Sequence, residues 1–177
     1  MYKYTLCFLQ RADEILLLNR QKSPWMGSWN GVGGKIEQGE TLLESVQREI
    51  TEETGISSND YEIRDIGEMK WFVDGENLGG MHLFLANLPD NYVYPTPRTT
   101  DEGILDFKKR KWILNPENTG VVNNLPYIIE HAPVFPARIE VSTKYQENTL
   151  LHISHQSLIK KALRLFAMLP YYQDVVK

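Results

Sequence analysis

Three glutamates, Glu49, Glu52 and Glu53, fall within six residues in the run Arg48-Glu49-Ile50-Thr51-Glu52-Glu53. On a helix, positions i, i+3 and i+4 share one face, so this spacing gathers three carboxylates into a single patch. The ordinary origin of a charge run is a solvated helix face, but such faces intersperse lysine or arginine at i+4. Here Arg48 is the sole cation between Thr41 and Ile56. Each unbalanced like-charge pair costs about 0.2–0.5 kcal/mol, and each anion near a helix C-terminus about 0.3–1 kcal/mol more. A sequence that carries both penalties is expected to be compensated by a bound cation. Hard oxygen donors suit Mg²⁺, with Mn²⁺ as a substitute, and Mg²⁺ characteristically binds a few carboxylates together with substrate phosphate. The corresponding chemistry is attack of an activated water on a phosphoryl group whose charge the metal neutralises.

The elements that must position these groups are legible around them. Thr41-Leu42-Leu43-Glu44 has the capping-box pattern, Leu43, Val46 and Ile50 follow at helical spacing, and Gly55 supplies a left-handed stop. This predicts a helix of about three and a half turns at 3.6 residues per turn. Upstream, residues 4–9 and 15–18 are apolar runs separated by a polar turn, a β-hairpin. Residues 21–34 hold Pro24, Gly27, Gly31, Gly33, Gly34 and two tryptophans, the composition of an ordered loop with demanding backbone angles. Downstream, residues 61–72, 81–88 and 103–107 read as strands. Asn115-Pro116-Glu117-Asn118 is read as opening a second helix that ends before Pro133. Residues 138–142 and 149–154 flank a polar turn over 144–148 as a late hairpin. Residues 156–170 show the apolar spacing of an amphipathic terminal helix, added to a single domain over 1–177. The order is mixed α/β (α+β).

A chain of 177 residues, 42% hydrophobic and 11% aromatic, is enough for one core. A formal net charge of −4 argues against nucleic acid as a partner, because such proteins carry a basic face. A small charged molecule reached through metal remains open. The single cysteine, Cys7, has no partner for an internal disulfide and reads as a buried hydrophobe in a reducing compartment. The first apolar run is too short to span a bilayer or form a signal-peptide core, so no membrane association and a cytoplasmic location are expected. Monomer and homodimer both remain open. His152 and His155 superficially suggest a metal pair, but their placement is not expected to hold them on one face, and no third ligand is apparent.

The segment from Gly34 to Ile56 meets every fixed position of the pattern G-x5-E-x7-R-E-U-x-E-E-x-G-U, where U is aliphatic: Gly34, Glu40, Arg48, Glu49, Ile50, Glu52, Glu53, Gly55 and Ile56. It resembles the box of the Nudix hydrolases. The resemblance implies an α/β/α sandwich around a central mixed sheet. It also implies cleavage of a diphosphate link, with the Gly33 carbonyl and the carboxylates of Glu49, Glu52 and Glu53 on the metal. Glu40 and Arg48 would support that cluster.

Outside the box, Gly27-Ser28-Trp29-Asn30-Gly31-Val32-Gly33-Gly34-Lys35 is similar to the preceding loop of the MutT-type branch, which includes oxidised-purine nucleoside triphosphatases. This nominates Asn30 for the base and Lys35 and Arg20 for phosphates, with Trp29 either stacking on the base or anchoring the loop. Thr100-Asp101-Glu102 resembles the loop that sends a further glutamate, here Glu102, to the metal. Residues 112–118 depart from the branch where its best-known members grip the oxidised base. The resemblance thus implies conversion of a triphosphate such as 8-oxo-dGTP to a monophosphate and pyrophosphate, with Glu49 or Glu102 as general base. The alternatives are ADP-ribose, dinucleoside polyphosphates or ordinary triphosphates as substrates, or a nucleotide-binding module without catalysis.

Overall fold

The computed structural model describes residues 2–134 and 137–158. Strands β1 (Tyr4–Arg11) and β2 (Glu14–Arg20) form the expected hairpin, and β3 (Trp29–Asn30) adds to β2. Helix α1 (Leu42–Thr54) follows, then β4 (Glu62–Val73), β5 (Glu76–Asn87), β6 (Arg98–Thr100) and β7 (Gly103–Lys109). Two short helices, α2 (Arg110–Ile113) and α3 (Leu125–His131), precede β8 (Ile139–Gln146) and β9 (Thr149–Ser157). The strands join in the order β6-β7-β2-β1-β5-β4-β8-β9, with β3 paired to β2. The β1–β5 and β4–β8 pairs are parallel and the others antiparallel, giving the mixed sheet.

Alternation along the central strands explains the layers. Leu6, Phe8, Ile15, Leu17, Leu83 and Leu85 face a core completed by Leu125, Ile128 and Ile129 of α3. Their neighbours Cys7, Leu9, Leu16, Leu18, Phe84 and Ala86 face the opposite core, completed by Val46 and Ile50 of α1. Because one strand feeds both cores, the sheet is the middle layer of an α/β/α sandwich. Cys7 is fully buried, as its type suggested. No helix among the described residues is long and apolar enough to cross a membrane.

Three expectations change. Asn115 does not open a helix: its side chain accepts the Glu117 N–H at 3.0 Å and its carbonyl the Asn118 N–H at 2.9 Å, a local turn that competes with helix. The helix begins instead at Leu125, with Pro126 in its first turn, where the missing N–H costs nothing. In the late hairpin both strands run on until Gln146 pairs with Thr149, leaving the two residues 147–148 as the turn, with Glu147 at φ 51°. Gln156 and Ser157 belong to β9, so the helix expected over 156–170 does not start there, and its remainder from 159 lies outside the described residues.

Helix α1 begins as the sequence indicates. Thr41 accepts the Glu44 N–H and Glu44 accepts the Thr41 N–H, a complete capping box, and Gly55 closes the helix in the left-handed region at φ 74°. Leu43, expected in the apolar stripe, is 47% exposed, and Val46 and Ile50 carry the burial. Removing the cap with Thr41→Ala is expected to lower stability by about 1 kcal/mol. In urea melts this would move the midpoint with an unchanged m-value.

Candidate metal and phosphate site

The loop entering α1 lies along β1, with the Thr5 N–H donating to the Gly34 carbonyl at 2.9 Å and the Cys7 N–H to the Val32 carbonyl at 2.7 Å. Between them Gly33 adopts φ 148°, and a Cβ there would overlap the Thr5 carbonyl, so glycine is required. Its N–H turns toward α1 and donates to Glu53 Oε2 at 3.1 Å. At Gly34 a Cβ would overlap the Glu49 carboxylate. Two consecutive glycines therefore seat two of the three carboxylates, Glu53 and Glu49, against backbone.

Arg48 ties this assembly together. Its Nε and Nη2 donate to Glu40 at 2.6 and 3.1 Å, Nη1 to Glu49 at 2.9 Å and Glu52 at 3.0 Å, and Nη2 also to the Lys35 carbonyl at 3.1 Å. The fork geometry of guanidinium is what allows one side chain to hold three carboxylates and a carbonyl. Hydrogen bonds from Arg48, and then from the Glu37 N–H, hold the Glu40 carboxyl down at about 2. Burial pushes the Glu49 carboxyl up, although Arg48 opposes it. Burial also lifts Glu53 to about 7, against the Gly33 hydrogen bond and helped by the negative charges of Glu49 and Glu102. A buried carboxylate with like charges around it is the local signature of a site designed for something positive.

Glu49, Glu52 and Glu53, but not Arg48 or Glu40, line a cleft of about 720 Å³ between α1, the glycine pair and the β6–β7 segment. Among the residues nominated from sequence, it brings together Glu49, Glu52, Glu53, Gly33, Glu102, Arg20 and Lys35. Glu102 pairs with Lys22 at 2.7 Å, and its carbonyl accepts the Gln21 N–H at 2.9 Å, which ties the 100–103 turn to the loop after β2. Arg98 also lines the cleft and was not foreseen. Its only sequence signal is a cation four residues before Glu102, which means nothing until β6 and β7 pair.

Trp29 and Asn30 do not line the cleft. Trp29 packs on the α3 side of the sheet with Lys108 Nζ 4.2 Å above its ring, and Asn30 Oδ1 accepts the Gly31 N–H at 2.9 Å. His155 does not combine with His152: it meets Tyr127 Oη at 2.9 Å and the His131 ring at 4.7 Å.

Among the described residues no three acidic, histidine or cysteine side chains already converge on a point that would hold an ion. Glu52 turns to Arg48, Glu102 to Lys22, and Glu53 to the Gly33 N–H. The donor chemistry nevertheless fits a hard divalent cation: five carboxylates, Glu49, Glu52, Glu53, Asp101 and Glu102, line one cleft, and the most buried of them, Glu53, carries a single hydrogen bond.

The comparisons with known proteins agree with this geometry. The family model described as NUDIX domain matches residues 3–113, more than half of the chain, and the chain belongs to that family. Over 100 residues it is 32% identical to the oxidized purine nucleoside triphosphate hydrolase of Mus musculus, covering 56% of this chain and 60% of the relative. Over 89 residues it is 34% identical to the protein of the same name in Danio rerio, covering 50% and 54%. The chain thus spans little more than half the length of these curated relatives. A crystal structure of a MutT protein from Bacillus halodurans superimposes with a TM-score of 0.68 at 25% identity, covering 88% of this chain and 98% of the other.

The raised carboxyl of Glu53 has a sign that urea melts can read in metal-free protein. A folded pKa of about 7 above an unfolded value near 4.5 gives stability that is fully present below pH 4.5 and is lost as pH rises through 7. Glu53→Gln stays neutral throughout. It should match the unsubstituted protein at pH 4 and exceed it at pH 8 by up to about 3 kcal/mol, from 1.36 kcal/mol per pKa unit.

Proposed function

We propose that this chain is a Mg²⁺-dependent hydrolase of nucleoside triphosphates that releases a nucleoside monophosphate and pyrophosphate, with an oxidised purine triphosphate such as 8-oxo-dGTP as the favoured substrate. The observation that carries the reading is the cleft itself. Glu49 and Glu53 are held against Gly33 and Gly34 on one wall, while Arg20 and Lys35 line the same space without a carboxylate partner among the described residues. An acidic site that also keeps cations available is suited to a polyanion accompanied by metal.

In this reading the carbonyl of Gly33 and the carboxylates of Glu49, Glu52, Glu53 and Glu102 hold the Mg²⁺, for which Mn²⁺ substitutes. When bound, the metal polarises the phosphoryl oxygens and lowers the pKa of an attacking water. Arg48 keeps Glu40, Glu49 and Glu52 in register with one another, and Glu52 and Glu102 would turn from Arg48 and Lys22 to take the metal. Lys35 and Arg20 bind the phosphates. Glu102 takes the proton from water. It is 41% exposed and paired with an exposed cation, Lys22, whereas Glu49 is 14% exposed and fixed by Arg48. Asn30, whose Nδ2 has no hydrogen-bond partner among the described residues, reads the base, and Trp29 anchors the loop that presents it. The preference for an oxidised purine is supported by the names of the mouse and zebrafish relatives.

Steady-state kinetics with Mg²⁺ on dGTP, 8-oxo-dGTP, dATP, ADP-ribose and a dinucleoside polyphosphate test this directly, with pyrophosphate and phosphate detected separately. A kcat/KM for 8-oxo-dGTP at least about tenfold above dGTP, roughly 1.4 kcal/mol of discrimination, is expected. Glu52→Gln and Glu53→Gln should each remove turnover while leaving the circular dichroism spectrum unchanged. Full activity in both variants overturns the metal assignment, and no turnover of any compound would leave a nucleotide-binding module.

A further inference from the structure

Arg98 stands at the C-terminal end of α1 on the edge strand β6, exposed and lining the cleft. Its Nη1 donates to the Thr54 carbonyl at 3.2 Å and lies 3.4 Å from Tyr94 Oη, and the guanidinium carbon is 5.7 Å from the Tyr94 ring centroid. Tyr94 Oη in turn donates to the same Thr54 carbonyl at 2.7 Å. The guanidinium passes across Gly55, where even a Cβ would come no nearer than 3.8 Å. Helix α1 has no basic residue in its last turn, so Arg98 supplies from a distant strand the positive charge that its C-terminus lacks.

Helix capping accounts for one edge of the guanidinium. It does not account for the rest, because Arg98 forms no ion pair among the described residues although Glu52, Glu53, Asp101 and Glu102 line the same cleft. Arg48, by contrast, is engaged by three carboxylates. An arginine held in place by neutral carbonyl and aromatic groups keeps its charge and its remaining N–H groups for another anion.

The position specifies which anion. The Lys35 carbonyl is held by Arg48, whereas Arg98 is held at Thr54, and both Lys35 and Arg98 line the cleft. Six residues of helix separate these anchor points, about 9 Å at 1.5 Å per residue. Three cations lining one cleft, Arg20, Lys35 and Arg98, suit a chain of linked phosphates better than a single one.

We infer that Arg98 is a polyphosphate-binding residue of this cleft, favouring linked phosphates over a lone phosphate. The inference rests on the proposed reading of the cleft as a phosphate site, and the experiment separates the two. Titration calorimetry with inorganic tripolyphosphate and with orthophosphate, in Mg²⁺, is run on the full chain, on Arg98→Gln and on Arg98→Lys, with a thermal melt of each.

The expected result has three parts. Tripolyphosphate binds the unsubstituted chain more tightly than orthophosphate; Arg98→Gln weakens tripolyphosphate about tenfold, or 1.4 kcal/mol; and Arg98→Lys falls between, because the charge remains and the fork is lost. Equal tripolyphosphate affinity in Arg98→Gln and the unsubstituted chain, with only a lower melting temperature, overturns the inference and leaves Arg98 as a helix cap. Failure of the unsubstituted chain to bind tripolyphosphate overturns the reading of the cleft, and the inference with it. If Arg98→Gln does not fold, Arg98→Met, which retains the aliphatic stem beside Tyr94, is judged by the same outcomes.

Discussion

The contact on which the site depends is the grip of Arg48 on Glu40, Glu49, Glu52 and the Lys35 carbonyl. Without it, Glu49, Glu52 and Glu53 would repel one another at the end of a helix whose dipole already disfavours them. One guanidinium against three carboxylates leaves the cluster negative, so the grip organises the charge without cancelling it. It also joins two pieces of chain: Glu40 and Lys35 belong to the loop before α1, whereas Glu49 and Glu52 belong to the helix. The register between loop and helix is thereby fixed by charge-assisted bonds as well as by packing.

That register matters because the loop is constrained from its other side as well. Gly33 presses against the Thr5 carbonyl of β1, and Gly34 leaves the space that Glu49 fills. Strand β1 is in turn clasped between two cores through the alternation of Leu6 and Phe8 with Cys7 and Leu9. A small displacement of β1 would move Gly33 and withdraw its N–H from Glu53. The price of the arrangement is a carboxyl at about 7 in a buried position, an unfavourable feature concentrated where a cation would reverse its sign.

How much of this was legible in the sequence follows the range of the interactions. The cap at Thr41, the stop at Gly55 and the carboxylate face are set within a few residues and read correctly. The resemblance marks Arg48 and Glu40 as supports of the carboxylate cluster, but their bond to each other appears only in the fold, because nothing in their eight-residue separation forces contact. Asn115 was misread because the same side chain that caps a helix also closes an Asx turn, and the choice between them depends on Trp112, whose carbonyl accepts Asn118 Nδ2 at 2.9 Å. Trp29 was ambiguous for a related reason: its face of the sheet is decided by its pairing with Asn19 in β2. Arg98 was invisible, since its role exists only once β6 lies beside the end of α1.

The arginines in and beside the cleft divide by what anchors them. Arg48 is bound by carboxylates and its charge is locally balanced, while Arg20 donates Nε to the Pro24 carbonyl at 2.9 Å and Arg98 donates to the Thr54 carbonyl. A carbonyl fixes the direction of a guanidinium without neutralising it, so Arg20 still acts on Glu53 through its charge. The second arrangement leaves cations lining the cleft of a chain whose net charge is −4. The bulk charge of the molecule sets its behaviour at a distance, where ions screen it within about 8 Å at physiological salt. Inside the cleft the deciding quantity is which charges already have partners. Acidic groups and basic groups tethered through neutral atoms can then line one space without forming ion pairs across it.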